Sequence, residues 1–172
     1  MPQISTFLTF KDQAEEAARF YTSVFPNSKI TRIARYPDLG PQGGEGGGGG
    51  APVKPGSVMT VEFTLDGRPF TALNAGSGCG SQFAFSQGIS IAVVCDTQQQ
   101  VDEYWDKFVA AGGTPVACGW ITDHFGVSWQ IDPKILIDLI TDPDPVKAGK
   151  AMQSMMTMVK IESEQIKRAV AE

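Results

Sequence analysis

Apolar positions along this chain fall into two matching series. The β-prone run Gln3–Phe10 is followed by Ala14, Ala17, Ala18, Tyr21, Val24 and Phe25. That helical spacing predicts a first helix. Asp12 is placed to open it, Glu15 to complete a capping box, and Pro26-Asn27-Ser28 to end it. A second β-prone run, Ile89–Cys95, leads to Asp96-Thr97 and an apolar stripe of Val101, Tyr104, Trp105, Phe108 and Val109. Ala111-Gly112-Gly113 stops that helix. The offsets coincide. Phe20 and Tyr21 lie eight and nine residues after Asp12, and Tyr104 and Trp105 eight and nine after Asp96, while Val24 and Phe108 share a further offset. Such self-similarity predicts one strand–helix–strands unit used twice.

The residues after each helix read as strands. In the first half, Lys29–Tyr36 and Ser57–Leu65 alternate, and Asp66-Gly67 supplies a hairpin turn before Pro69–Asn74 returns. In the second, Pro115–Cys118, Trp120–Thr122 and Val127–Ile131 are short strands, and Ile135–Ile140 reads as one more. From Asp142 an Asp-Pro-Asp-Pro run punctuates the chain. A helix then carries Met152, Met155, Met156 and Val159 on one face, and a second helical stretch carries Ile166, Ala169 and Val170. This tail reads as an arm that covers the sheet or docks on a partner subunit. The expected divisions are a first module at 1–86, a second at 87–141 and a helical tail at 142–172. Residues 40–56 form a glycine-rich insertion. It lacks both the GxxxxGK[ST] pattern and the strand–glycine–helix context of a phosphate cradle, so it reads as a linker or loose lid, and Gly76–Gly80 fails the same test.

Composition narrows the function classes. The 172 residues carry a formal charge of −5 without a basic stripe, which argues against a nucleic-acid partner. No secretory leader or membrane-length apolar run is visible, so the expectation is a cytoplasmic protein without a membrane partner. Cys79, Cys95 and Cys118 lack zinc or disulfide spacing and read as small, buried or half-buried thiols. The one histidine, His124, sits in a turn and reads as a surface residue.

Asp12…Phe20-Tyr21…Val24-Phe25-Pro26 resembles the strand–helix signature of the vicinal oxygen chelate superfamily, which groups glyoxalases, bleomycin-resistance proteins and extradiol dioxygenases. Cys118–Ile131, Ile89–Thr97, Tyr104-Trp105-Asp-Lys and the Met-rich tail resemble its PhnB-like branch, also labelled 3-demethylubiquinone 3-methyltransferase. The resemblance covers nearly the whole chain outside the glycine insertion. It implies an α+β fold of two βαβββ modules forming a cupped eight-stranded sheet, here with a C-terminal helical arm, and it implies a homodimer.

Metal-using relatives hold a divalent ion with His, Gln or Glu from the first and last strands of each module. The corresponding positions here fall near Ser5, Ile89, Asn74 and Gln130, and Asp123-x-x-Gly126 resembles the family's DPxG turn. Those positions carry no carboxylate, so no metal and no cofactor are expected. The methyltransferase label also conflicts with the chain, which has no glycine-rich loop after the first strand of a doubly wound sheet. The expected function is binding of a small apolar or aromatic molecule. Phe63, Phe70, Trp120 and Trp129 are the candidate aromatic lining, and Glu62, Asn74 and Gln130 the candidate orienting groups. Two alternatives stay open: a metal-dependent isomerase or dioxygenase completed by a partner chain, and a non-catalytic dimeric scaffold.

Overall fold

Alternation in the first strand, β1 (Thr6–Phe10), buries Leu8 and Phe10 and leaves Phe7 exposed. The structure, a computed structural model, describes residues 4–38, 54–76 and 84–172. The glycine-rich insertion and the Gly76–Gly80 motif lie largely outside those residues, as do Gln3, Cys79 and Phe83. The chain divides into two units, Met1–Ala84 and Phe85–Glu172, each described here by itself.

In the first unit β1 is followed by α1 (Ala14–Val24), β2 (Lys29–Arg35), β3 (Val58–Leu65) and β4 (Arg68–Asn74). The predicted face of α1 is the buried one, with Ala14, Ala17, Ala18 and Tyr21 fully enclosed. Its alanines let the helix lie close against the sheet, where Tyr21 meets Phe63 at 6.3 Å between ring centres. The expected capping box does not form. Gln13 is the N-cap without a side-chain bond, Glu15 pairs with Arg19, and the Ala14 N–H donates to Asn74 Oδ1 at 2.8 Å. The helix starts one residue later than the Asp12 reading requires, so its first donor is satisfied by a strand residue instead. The Asp66-Gly67 turn joins β3 to β4 with φ of 46° and 75°, the positive pair that a two-residue hairpin of this hand demands.

The second unit repeats the plan with β5 (Ser90–Cys95), α2 (Gln98–Ala110), β6 (Thr114–Pro115), β7 (Trp120–Thr122) and β8 (Ser128–Pro133). Thr97 caps α2, accepting from the Gln100 N–H. Val101, Trp105 and Phe108 are buried as predicted, whereas Val109 is exposed. The strand orders are β1-β4-β3-β2 and β5-β8-β7-β6, and in each sheet the first strand runs parallel to the last while the other pairings are antiparallel. Two βαβββ modules, each with its own four-stranded mixed sheet, therefore precede a helical tail.

Two expectations about that tail change. Ile135–Ile140, read as a strand, lies in helix α3 (Lys134–Ile140). Leu136 and Leu139 are buried at a spacing of three, and Lys134 pairs with Asp138 at a spacing of four. A short apolar run fits either period, and here the helical one wins. Next come α4 (Pro145–Met155) and α5 (Ser163–Ala171). The predicted methionine face is largely uncovered, because Met152, Met156 and Val159 are exposed. Ala151, Met158, Ile161 and Ile166 instead close a small core with Leu136 and Leu139, with Met155 packed at its side. The tail belongs to the second unit. It is held by Cys118 N–H to Met158 O, by Gly119 N–H to Val159 O, and by Gln98, which bonds both Ile161 O and Ser163.

Candidate functional site

Each sheet has one face against its helix and one turned away. In the first unit, Val61, Phe63 and Leu65 of β3 and Phe70, Ala72 and Asn74 of β4 are buried on the α1 side. Phe63 and Phe70 stack at 5.4 Å between centroids. Asn74 is occupied at both ends of its amide, accepting from Ala14 N–H and donating to Val58 O at 3.1 Å. It also borders a cavity of about 300 Å³ beside the start of α1, with Lys11, Asp12, Tyr36 and Lys54. Glu62 lies on the opposite face, in register with Thr71 of β4 and Arg32 of β2, and forms an ion pair with Arg32.

The second unit sorts its residues the same way. Trp129 is fully buried on the α2 side, 5.0 Å from the Phe108 ring, and its indole N–H donates to Asp123 at 2.8 Å. Asp123 also accepts from the Phe125 and Val127 N–H groups, both at 2.9 Å. The family-like turn is thus built around one buried carboxylate. His124 within it is exposed, as expected. Gln130 occupies the face away from α2, in register with Trp120 of β7 and Ala92 of β5, and its Nε2 donates to Ser90 Oγ at 2.6 Å. Of the seven candidates, Phe63, Phe70, Asn74 and Trp129 build helix-side packing. Trp120 and Gln130 are brought together on one sheet, and Glu62 lies on the other.

Arg32, Ser90 and Asp132 are polar partners that the sequence pattern did not single out. Asp132, in register with Val94, has its Oδ1 buried without a hydrogen bond. Burial raises its pKa to about 6. A Cβ on Gly119 would sit 2.5 Å from that oxygen, so the strand pair approaches closely only because position 119 lacks a side chain. Cys95 is buried, and that burial, reinforced by the charges of Asp132 and Asp96, raises its thiol to about 11.

The residues at the superfamily's ion-holding positions do not fit a divalent metal. Ser5 and Ile89 are exposed and supply no carboxylate or imidazole. Asn74 and Glu62 lie on opposite faces of one sheet, and Gln130 is committed to Ser90. Among the described residues, no three His, Cys, Asp or Glu side chains converge. No helix among them is long and apolar enough to cross a membrane.

A family model described as 3-demethylubiquinone-9 3-methyltransferase matches residues 2–132, so the helical tail beyond Asp132 is outside the matched stretch. A PhnB protein from Bacillus cereus carrying the same methyltransferase label is 34% identical, with 77% of this chain and 99% of that one aligned and a TM-score of 0.61. A protein from Pseudomonas aeruginosa is 18% identical over 77% of this chain and 98% of its own, with a TM-score of 0.53, and shares the fold. No curated protein matches. The duplicated βαβββ unit, the Asp123 turn and these alignments together place the chain in the PhnB-like family labelled 3-demethylubiquinone-9 3-methyltransferase.

Proposed function

We propose that this protein binds a small apolar or aromatic molecule on the sheet faces turned away from α1 and α2. On the second unit's sheet Trp120 supplies an aromatic contact and Gln130 orients the ligand, and on the first unit's sheet Glu62 is the orienting group. The supporting observation is that the register places Trp120 beside Gln130 on the face away from α2, with Ser90 fixing the amide. Phe63, Phe70, Asn74 and Trp129 serve this reading indirectly, by holding each helix against its sheet. The donor set argues for binding without a resident divalent ion. Methyl transfer is disfavoured too, because neither described sheet has the parallel, doubly wound order that presents a nucleotide-type cofactor. A homodimer in the cytoplasm completes the proposal.

The test is fluorescence titration with N-phenyl-1-naphthylamine, a neutral aromatic probe. The wild type binds saturably, and Trp120→Ala weakens binding about tenfold, as loss of one aromatic platform implies. Absence of saturable binding, or equal binding by the variant, overturns the proposal.

A further inference from the structure

Resting on that binding reading, we infer that the ligand taken by the first sheet is an amphipathic organic anion, its acidic group held by Arg32 and its apolar body by Phe7. Edge strand β2 carries two register irregularities, one between Ile30 and Arg32 and one between Ala34 and Arg35. Strict alternation would send Lys29 to one face and Arg32 to the other. The first irregularity undoes this, because Thr31 is an extra residue on β2. Lys29 pairs with Thr64 and Arg32 with Glu62, and those partners alternate with the buried Val61, Phe63 and Leu65. Both cations therefore project on the face away from α1, the kind of re-aiming for which bulges recur beside binding sites.

Glu62 fixes the Arg32 cation. It engages one nitrogen of the guanidinium, and the Arg32 side chain remains 70% exposed. A guanidinium fork has five donors, so one so held is oriented and still able to take a second acid group. Along the same row, Arg32 pairs with Glu62, Glu62 with Thr71 and Thr71 with Phe7. Three strand spacings separate the ends, about 14 Å at the usual inter-strand distance. Phe7 is 57% exposed, and Leu73 is in register with Thr9 beside it on the same face. The row thus offers an apolar end, a threonine middle and a cationic end. Two positive charges, Lys29 and Arg32, against one carboxylate, in a chain of net charge −5, make this a local reversal of sign.

The experiment compares two probes that differ by one sulfonate, 8-anilinonaphthalene-1-sulfonate and N-phenyl-1-naphthylamine, on the full chain. The sulfonate probe should bind more tightly, and added salt should weaken it selectively. Arg32→Gln should reduce its affinity about fivefold to tenfold and leave the neutral probe unchanged. Glu62→Gln, which removes the competing carboxylate, should raise sulfonate affinity. Phe7→Ala should weaken both probes. If both probes bind equally and Arg32→Gln changes neither, the anion assignment is overturned while the binding reading stands. If neither binds, both fall. If Arg32→Gln alters the mass seen by light scattering instead of probe affinity, a second copy of the chain occupies this face and the assignment is again overturned.

Discussion

At the scale of single residues, two groups yield measurable consequences. Asp132 has its pKa raised to about 6 from 3.8, so the fold favours its neutral form. The native state then holds more protons than the unfolded one between those values, and stability falls as pH rises through that window. The full penalty is present above pH 6 and relieved below 3.8. Asp132→Asn should therefore gain about 1–2 kcal/mol over wild type at pH 7.5, after discounting for partial exposure, and little at pH 3.5. Urea unfolding at the two pH values checks this, and a constant difference would refute it. The second group is Cys95, whose thiol lies near 11. In a Cys79→Ser background, a disulfide reagent at pH 8 should modify half-buried Cys118 first and Cys95 only on unfolding, because the thiolate is the reactive species. Neither behaviour was legible in the sequence. Asp132 reads as one polar residue among several, and the close approach of Gly119 to its oxygen is set by the fold.

Among the elements, the apolar rhythm located both sheet-packing helices and the longer strands of the two modules, because period 2 and period 3.6 diverge over lengths of five residues or more, whereas the strand expected at Pro115–Cys118 is only Thr114–Pro115. It failed where a run was short and apolar throughout. Ile135–Ile140 carries no polar residue except Asp138, and only the Lys134 pairing and the burial of Leu136 and Leu139 reveal the helical period. Leu139→Ala should cost about 2–4 kcal/mol in chemical denaturation, as for other enclosed leucines, and a cost under 0.5 kcal/mol would mean that the small helical core does not form. Gln98 links α2 to the tail through three hydrogen bonds. Gln98→Ala should speed amide exchange across residues 160–171 while β5 and β8 keep wild-type protection. The candidate site divides along the same line. Alternation distinguishes the two faces of a strand, but which face receives the helix depends on the fold. Glu62 and Gln130 proved to face away from the helices, and Phe63, Phe70 and Trp129 toward them. The bulge that turns Arg32 leaves no mark in residue type.

For the molecule as a whole, internal repetition was the most legible property, and it reappears as identical strand order in both units. Among the described residues, this duplicated plan brings no three His, Cys, Asp or Glu side chains together. Metal analysis of protein purified without chelators should accordingly find less than about one-tenth equivalent of nickel, zinc, manganese or iron, given a donor set that lacks converging carboxylates or imidazoles. A stoichiometric ion lost on Glu62→Ala would overturn that account.

The bond from Ala14 to Asn74 spans 60 positions of sequence and satisfies a donor for which α1 has no acceptor of its own. The opening turn of that helix therefore waits for the final strand of its own module. Local nucleation is uphill, and here its completion is tied to one of the most distant pairings in the unit. A nascent chain that ends before β4 should hold α1 only as a fraying coil, so the first module becomes ordered in one step, late, and as an indivisible piece.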